Sequence, residues 1–238
     1  MVEPQALSPT ARTAAVSWTG GKDCNLALLN AWRDPSLHVT ALVVFRPENA
    51  AFRAHPLWLA EAQAGSLSLP LRHVVIQSGV SSYKEAYVAG IRQLRAEHGI
   101  ETIVTGDMDL VGTMARNWIE ECGEEAGVEA SLPLWQADRA ACLRKLIAER
   151  FVVIFSCVKS PWFDASWIGR RLDAATLEEM EAMAAATPEE GVKPLDLGGE
   201  RGECMPLLPS LNLANRTPHP TRPDVVATRR PRCLIRDP

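Results

Sequence analysis

Ser17-Trp18-Thr19-Gly20-Gly21-Lys22-Asp23-Cys24 follows the apolar run Ala14 to Val16 and precedes the helix-like stretch Leu26 to Trp32. This order predicts a strand, a glycine turn and a helix. Two adjacent glycines let the backbone approach a ligand, and successive N–H groups in such a turn form a concave anion site. The positive end of the helix and the Lys22 ammonium add to the attraction. The segment therefore predicts a phosphate-binding loop.

Two common phosphate-binding motifs do not fit this loop. A Walker loop needs glycine at the position of Val16, and the dinucleotide motif G-x-G-x-x-G is absent. An ordinary strand-to-helix turn is the plain alternative. In that alternative Asp23 only starts the helix, and the Lys22-Asp23 pair and the flanking strand and helix coincide by chance, so we favour the phosphate loop.

The composition bounds the class of protein. The chain has 238 residues, 47% of them hydrophobic and 23% charged, with a net charge of −4. A mildly acidic chain lacks the basic field of a general nucleic-acid binder, so we expect no direct nucleic-acid partner. No apolar run approaches the roughly 20 residues that span a bilayer, so no membrane partner is expected.

The N-terminal residues and the cysteines bear on the compartment. Residues 1–13 contain Glu3, Pro4 and Pro9 and no apolar core, so we expect a disordered leader rather than a secretory signal. The six cysteines are dispersed and form no C-x-x-C pair, which argues against a zinc site or a disulfide framework. A cytoplasmic protein is expected.

Residues 14–131 alternate between strand and helix patterns, which predicts a doubly wound parallel α/β sheet. After Ala14–Val16 the predicted strands are His38–Phe45, Arg72–Ile76 and Thr102–Thr105, and the predicted helices are Pro56–Leu67, Tyr83–Glu97 and Ala115–Ala126. Ligands of such sheets bind at the carboxyl ends of the strands. The glycine loop and Gly106-Asp107 both follow strands, so both are expected on that rim.

The pattern changes at residue 132. Residues 132–205 predict a second, smaller α/β module, with a helix at Arg139–Glu149, an apolar strand at Phe151–Val158 and a helix at Ala174–Ala186. Residues 206–238 are rich in proline and arginine and are predicted to be a poorly ordered tail.

The glycine loop resembles the Ser-Gly-Gly-Lys-Asp-Ser loop of the PP-loop ATP pyrophosphatases, with Thr19 and Cys24 in place of the two serines. The resemblance implies an adenine nucleotide alpha hydrolase-like fold of the HUP type and cleavage of ATP between its α- and β-phosphates. Val43 and Val44 would line an adenine pocket, with core packing as the alternative. The implied ATP-binding residues are Ser17, Trp18, Thr19, Gly20, Gly21, Lys22, Asp23, Cys24, Val43, Val44, Gly106 and Asp107.

Four further segments narrow the resemblance. They are Thr105 to Leu110, Leu132 to Trp135, Phe163 to Arg170 and Gly199 to Glu203, in that order. The series is similar to the diphthine–ammonia ligase family, in which a PP-loop domain precedes a small specific domain. That resemblance implies adenylation of diphthine on elongation factor 2 and its amidation by ammonia, with release of AMP and pyrophosphate.

The same resemblance implies roles for individual residues. Lys22, Asp23 and Glu203 would be catalytic, and Asp23 and Asp107 would hold Mg²⁺. Alternatively, Asp164, Ser166 and Gly169 only shape a loop and a helix cap, and the tryptophans of these segments, Trp135 and Trp167, are core residues. The implied acceptor-binding residues are Trp135, Asp164, Ser166, Trp167, Gly169, Arg170, Glu200 and Glu203.

The chain departs from the family pattern after Glu203. Cys204-Met205-Pro206 stands where the family continues into a hydrophobic strand, and proline does not continue a central strand. We therefore expect that final strand to be missing. Two other functions stay open: a PP-loop enzyme that adenylates a different acceptor, and a non-catalytic ATP-binding protein. A homodimer is compatible with the sequence.

Overall fold

Five parallel strands form the central sheet of the protein. The computed structural model describes residues 7–48, 56–110, 112–158, 160–186, 194–198 and 207–208. The sheet has the order β3-β2-β1-β4-β5, which places the first strand in the middle. Its strands are β1 (Arg12–Ser17), β2 (Leu37–Pro47), β3 (Leu71–Ile76), β4 (Thr102–Val104) and β5 (Glu129–Ser131).

Helices cover both faces of the sheet. They are α1 (Lys22–Trp32), α2 (Leu57–Leu67), α3 (Tyr83–His98), α4 (Trp118–Ala126), α5 (Arg139–Ala148) and α6 (Ala174–Ala185), with a 3-10 turn at Ala165–Trp167. One apolar cluster joins β1 and β2 to α1, α2, α5 and α6, and a second joins the sheet to α3 and α4. The predicted doubly wound α/β fold of the HUP type is confirmed.

The element boundaries follow local capping chemistry. Asn117 accepts hydrogen bonds from the N–H groups of Ile119 and Glu120, so α4 begins at Trp118 rather than at the predicted Ala115. Gly99 and Gly127 end α3 and α4 in the left-handed conformation, as predicted. Strand β5 was not predicted because Glu129-Ala130-Ser131 is short and carries no apolar run.

The last residues of the predicted leader, residues 1–13, join the central sheet. Strand β1 begins at Arg12, and the N–H of Ser8 donates to the carbonyl of Pro35 at 2.9 Å. Residues 1–6 lie outside the described residues, as does the predicted tail apart from Leu207 and Leu208. In the described part of the chain, none of the helices is both long and apolar enough to cross a bilayer.

The residues after Ser131 pack on the face that carries α1 and α2. The predicted strand Phe151–Val158 is wrong in extent: only Val152–Val153 forms a strand, β6. It pairs antiparallel with β7, Leu207–Leu208, so a two-residue strand follows Pro206, where the sequence predicted none. The pairing starts one residue after Pro206, and the N–H that proline lacks therefore removes no bond from it.

Candidate functional site

The loop between β1 and α1 leaves the first turn of the helix open. Gly20 has φ +83°, and Gly21 is the N-cap residue of α1 with no side chain that caps the helix. The start of α2 also has no side-chain cap, whereas α3, α4, α5 and α6 are capped by the side chains of Ser82, Asn117, Asp138 and Asp173. Uncapped N–H groups at the positive end of a helix attract anions.

Gln63 of α2 braces this loop from the side. Its Oε1 accepts from Trp18 Nε1 at 3.1 Å, and its Nε2 donates to the carbonyl of Gly20 at 3.1 Å. Gln63 and Trp18 are both almost completely buried. An ideal Cβ on Gly20 would lie 2.6 Å from Gln63 Oε1, so the close approach requires glycine there in addition to its positive φ.

Lys22 is buried, with only 5% of the residue exposed. Its Nζ donates to Asp23 Oδ2 at 2.6 Å and to the carbonyl of Gly198. A buried ammonium is costly unless it is paired and hydrogen-bonded, and these two partners supply both requirements. An ammonium has three donors, so these two contacts leave one for a phosphate oxygen.

Cys24 and Thr19 stand where the PP-loop sequence has serines. Cys24 Sγ donates to the carbonyl of Gly21 at 3.1 Å, and the hydroxyl of Thr19 accepts from the N–H of Gly21 at 3.4 Å. Burial raises the pKa of the Cys24 thiol, so the group stays protonated near neutral pH. Both side chains thus shape the loop through its backbone, and Cys24 is not a thiolate.

A second loop, residues 105–109 after β4, packs against the start of α1. An ideal Cβ on Gly106 would lie 2.6 Å from the carbonyl carbon of Asp23 and 2.7 Å from the N of Cys24. Asp107 Oδ2 accepts from Asn117 Nδ2 at 2.7 Å. The predicted nucleotide-facing loop and the glycine loop therefore meet at the carboxyl edge of the sheet.

Ser17, Val43 and Val44 lie behind the loop. Ser17 is paired with Val43 across β1 and β2, and the carbonyl of Val43 accepts from the N–H of Trp18 at 2.8 Å. The Val43 and Val44 side chains are buried in the two apolar clusters on opposite faces of the sheet. The structure therefore places both side chains in the core, and Val43 contacts the loop through its backbone.

The residues predicted for the acceptor fall into separate environments. Trp167 is buried against Phe155 and Phe163, with ring centroids 5.2 and 4.5 Å away. The Arg170 guanidinium lies 4.1 Å from the centroid of the Trp167 ring and pairs with Glu179. In this structure both side chains are engaged by the protein itself.

The remaining residues predicted to bind the acceptor also lie in different environments. Asp164 Oδ1 accepts from the Ser166 N–H at 2.8 Å and from its hydroxyl at 2.5 Å, which lowers the pKa of Asp164. Gly169 has φ +84° and donates to the carbonyl of Phe155. Trp135 is half-buried in a turn. The N–H of the following residue, Gln136, donates to the Met108 carbonyl at 2.9 Å. Glu200 and Glu203 lie outside the described residues.

Three contributors to the site were not predicted. Gln63 has no motif around it, and its role depends on a contact 45 residues away. Arg139 of α5 contacts Asp109 and Asp196, and Gly198 brings its carbonyl to Lys22. The position of Gly198 directly before the Gly199 to Glu203 segment was the one signal in the sequence.

The proposed magnesium ligands are single carboxylates rather than a cage. Among the described residues there is no group of three or more His, Cys, Asp or Glu side chains suited to a metal ion. The contacts of Asp23 and Asp107 described above both use Oδ2. Mg²⁺ is commonly held by one or two carboxylates together with substrate phosphates, so these two residues fit an ion that arrives with ATP.

Comparison with known proteins identifies a family for this chain. One solved structure that the chain resembles is described as a predicted subunit of tRNA methyltransferase from Methanocaldococcus jannaschii; the match covers 76% of this chain and 94% of the other, at 17% identity and a TM-score of 0.40. Comparison with curated proteins gives no match. The family described as the diphthamide synthase N-terminal domain matches residues 12–130, half of the chain. The chain therefore belongs to the diphthamide synthase N-terminal domain family.

Proposed function

We propose that this protein is an ATP-dependent ligase that activates a carboxylate as its adenylate and amidates it with ammonia. The acceptor we propose is diphthine on elongation factor 2, in the cytosol. Membership of the family indicates an ATP-dependent reaction. The observation that carries the proposal is the contact between Gly106 and the uncapped first turn of α1, where Lys22 is buried.

The proposed reaction has two steps. A carboxylate oxygen of the acceptor attacks the α-phosphorus of ATP, and the bond to the bridging oxygen breaks so that pyrophosphate leaves. Ammonia then attacks the acyl carbon, AMP leaves with the C–O bond electrons, and a proton is lost from nitrogen to give the amide. Negative charge grows on the pyrophosphate in the first step, and preorganised donors stabilise such charge best.

The groups at the glycine loop suit this first step. The ammonium of Lys22 has a donor beyond its contacts to Asp23 and Gly198, and the first N–H groups of α1 have no side-chain cap. We propose that these donors bind the β- and γ-phosphates. Asp23 and Asp107 would hold Mg²⁺, which neutralises phosphate charge when bound.

We propose that Trp135, Glu200 and Glu203 contact the acceptor. Diphthine carries a trimethylammonium group, which carboxylates and aromatic faces can attract. Trp135 lies in the turn beside the 105–109 loop, and the chain runs from Gly198 at Lys22 into the segment with both glutamates. In this proposal Glu203 also acts as a catalytic carboxylate.

A different acceptor is the second candidate. It is favoured by the packing of Trp167 against Phe155 and Phe163 and by the pairing of Arg170 with Glu179. Two side chains that the diphthine proposal could use are therefore already engaged. Another carboxylic acid would be adenylated at the same glycine loop with the same release of AMP and pyrophosphate.

The test follows AMP and pyrophosphate with purified protein, ATP, Mg²⁺, ammonium and diphthine-bearing elongation factor 2. We expect both products only when the acceptor is present. Release of AMP without dependence on this acceptor would support the second candidate. ATP binding with no product under any condition would contradict both and leave a non-catalytic nucleotide-binding protein.

A pair of lysine variants assigns the chemistry to the loop. Lys22→Ala should lower product formation by about 100-fold or more, because it removes a charged donor from the leaving pyrophosphate. Lys84→Ala is the matched control. Lys84 lies on α3 and pairs with Glu125 of α4. Full activity in Lys22→Ala would remove the loop from the mechanism.

A further inference from the structure

Arg139 joins two chain segments that are far apart in sequence. It is the first residue of α5, and two nitrogens of its guanidinium contact carboxylates of different segments. Nη2 lies 3.2 Å from Asp109 Oδ2 in the loop after β4, and Nε lies 2.9 Å from Asp196 Oδ1. The side chain is only 25% exposed and that of Asp196 15% exposed. The pair with Asp196 is therefore shielded from water better than an ordinary surface pair, whereas the Asp109 side chain is half exposed.

The Asp196 side of this contact leads directly to Lys22. Asp196 Oδ1 also accepts from the N–H of Gly198 at 2.8 Å, and the carbonyl of Gly198 accepts from Lys22 Nζ. Gly198 is buried, and an ideal Cβ on it would lie 2.9 Å from Arg139 Cδ. Arg139 thus packs against the peptide that contacts the buried lysine.

We propose that Arg139 is a positioning residue for the ligase reaction. It fixes residues 194–198 between the nucleotide-facing loop and Lys22, and so sets where the chain enters the Gly199 to Glu203 segment. Arg139 acts through Asp196 and Gly198 and does not itself contact the reacting atoms. This inference rests on the proposed function, because the alignment matters only if ATP and the acceptor meet at this point.

The geometry requires an arginine rather than any cation. A guanidinium spreads its charge and its donors over three nitrogens in one rigid plane, so Nη2 can contact Asp109 while Nε lies against Asp196. A lysine in this place has a single ammonium at the end of a flexible stem. Arg139→Lys should therefore keep one of the two contacts and restore only part of the function.

The first test compares Arg139→Ala with Arg144→Ala. Arg144 lies on the same helix and pairs with Glu181 of α6, away from Lys22. Lys22 keeps Asp23 in both variants, so ATP affinity measured by calorimetry should stay within about threefold of the unmodified protein. Acceptor-dependent AMP formation should fall by about 10- to 100-fold in Arg139→Ala, because a small misplacement of reactants is costly. Arg144→Ala should behave like the unmodified protein.

The second test approaches the contact from Gly198. Gly198→Ala places a methyl group against Arg139, whose ion pairs with Asp109 and Asp196 oppose a move aside. It should show the same pattern as Arg139→Ala: ATP affinity kept and acceptor use reduced. The double variant should be no worse than Arg139→Ala alone, since the shortened side chain removes the clash.

The outcomes separate this inference from the proposed function. If the unmodified protein makes no AMP with any acceptor, the proposed function fails before Arg139 is considered. If it is active and Arg139→Ala keeps full acceptor use, the positioning role is wrong. A parallel loss of melting temperature, ATP affinity and acceptor use in Arg139→Ala would assign the residue to the stability of the fold and would also overturn the proposal.

Discussion

The glycine loop, residues 17–24, and the loop at 163–170 both resemble family motifs in sequence, yet their polar groups are used differently in the structure. The glycine loop leads into a helix without a side-chain cap and presents a buried lysine. In the loop at 163–170, Asp164 caps the 3-10 turn and Trp167 is packed in the core. The first loop leaves donors for a ligand, whereas the second uses its polar groups within the chain.

This difference teaches how a motif should be interpreted. A motif shows which residue types recur at a spacing, but it does not show whether their hydrogen-bonding groups are already satisfied. A site that binds a ligand needs groups whose partners are incomplete without it. By that measure the glycine loop has the features expected of a binding site, whereas the polar groups of the loop at 163–170 are used within the fold.

The largest expected effect concerns the structural loop. Trp167→Ala removes a buried ring that packs against Phe155 and Phe163. We expect the free energy of unfolding to fall by about 3–5 kcal/mol, as for other buried aromatic truncations. Urea unfolding measures this change, with Trp167→Phe as the milder control. The fraction that remains folded should bind ATP normally; a specific loss of acceptor use at full stability would contradict the comparison.

The second effect concerns the open loop. Gly106→Ala would place its Cβ 2.6–2.8 Å from backbone atoms of Asp23 and Cys24. The first turn of α1 must then shift, so ATP affinity should fall by about 100-fold, as expected for misplaced binding groups. Calorimetric titration with ATP measures it. Gly65→Ala is the matched control, since nothing lies within 4 Å of its added Cβ; equal affinities in the two variants would contradict the predicted contact.

The sequence predicted the sheet and the glycine loop because both depend on local patterns. These patterns are apolar runs of strand length and glycines that follow helical stretches, and each can be recognised within about ten residues. They located β1 to β4 and the ends of α3 and α4. Strand β5 escaped because its three residues gain their partner only from β4. Strand β7 escaped for the same reason, since its pairing with β6 spans more than fifty residues.

The less predictable part of the site is held by distant contacts. Gln63, Arg139 and Gly198 reach the loop from α2, from α5 and from the chain after α6. Nothing in the local sequence of Gln63 or Arg139 indicates a ligand, and the one signal for Gly198 is its position directly before the Gly199 to Glu203 segment. The reverse error occurred at Trp167, where the motif suggested an acceptor contact and the structure shows a core residue. The plain alternative for that tryptophan was stated from the sequence and describes its packing.

A smaller effect sharpens the comparison within the open loop. Cys24→Ser keeps a donor to the carbonyl of Gly21, so ATP affinity should stay within about threefold or improve. Burial raises the pKa of the Cys24 thiol, so iodoacetamide near neutral pH should not modify it. Peptide mass spectrometry checks this against the more exposed Cys157. Preferential alkylation of Cys24, or total loss of ATP binding in Cys24→Ser, would indicate a role for the thiol itself.

The smallest effect concerns the ion pair that ties α1 to the end of α5. The Arg33 guanidinium donates to both carboxylate oxygens of Glu149, at 2.5 and 2.8 Å, and lowers the pKa of Glu149 below its ordinary value of 4.5. A lowered pKa gives stability above the ordinary value, and that stability is lost as the pH falls through the pKa of the folded state. The pair is partly exposed, so Glu149→Gln should cost less than about 1 kcal/mol at pH 7.

That cost should shrink below pH 4.5, because Glu149 itself becomes neutral there. Urea unfolding of both proteins between pH 7 and pH 3 measures the convergence. Glu124→Gln, which removes a more exposed pair with Arg116, is the control and should give a smaller difference. If the Glu149→Gln difference stayed constant across this range, the carboxylate charge would not be its cause. If Glu149→Gln also lowered ATP affinity, the Arg33–Glu149 ion pair would help to hold the glycine loop and would not only stabilise the fold behind it.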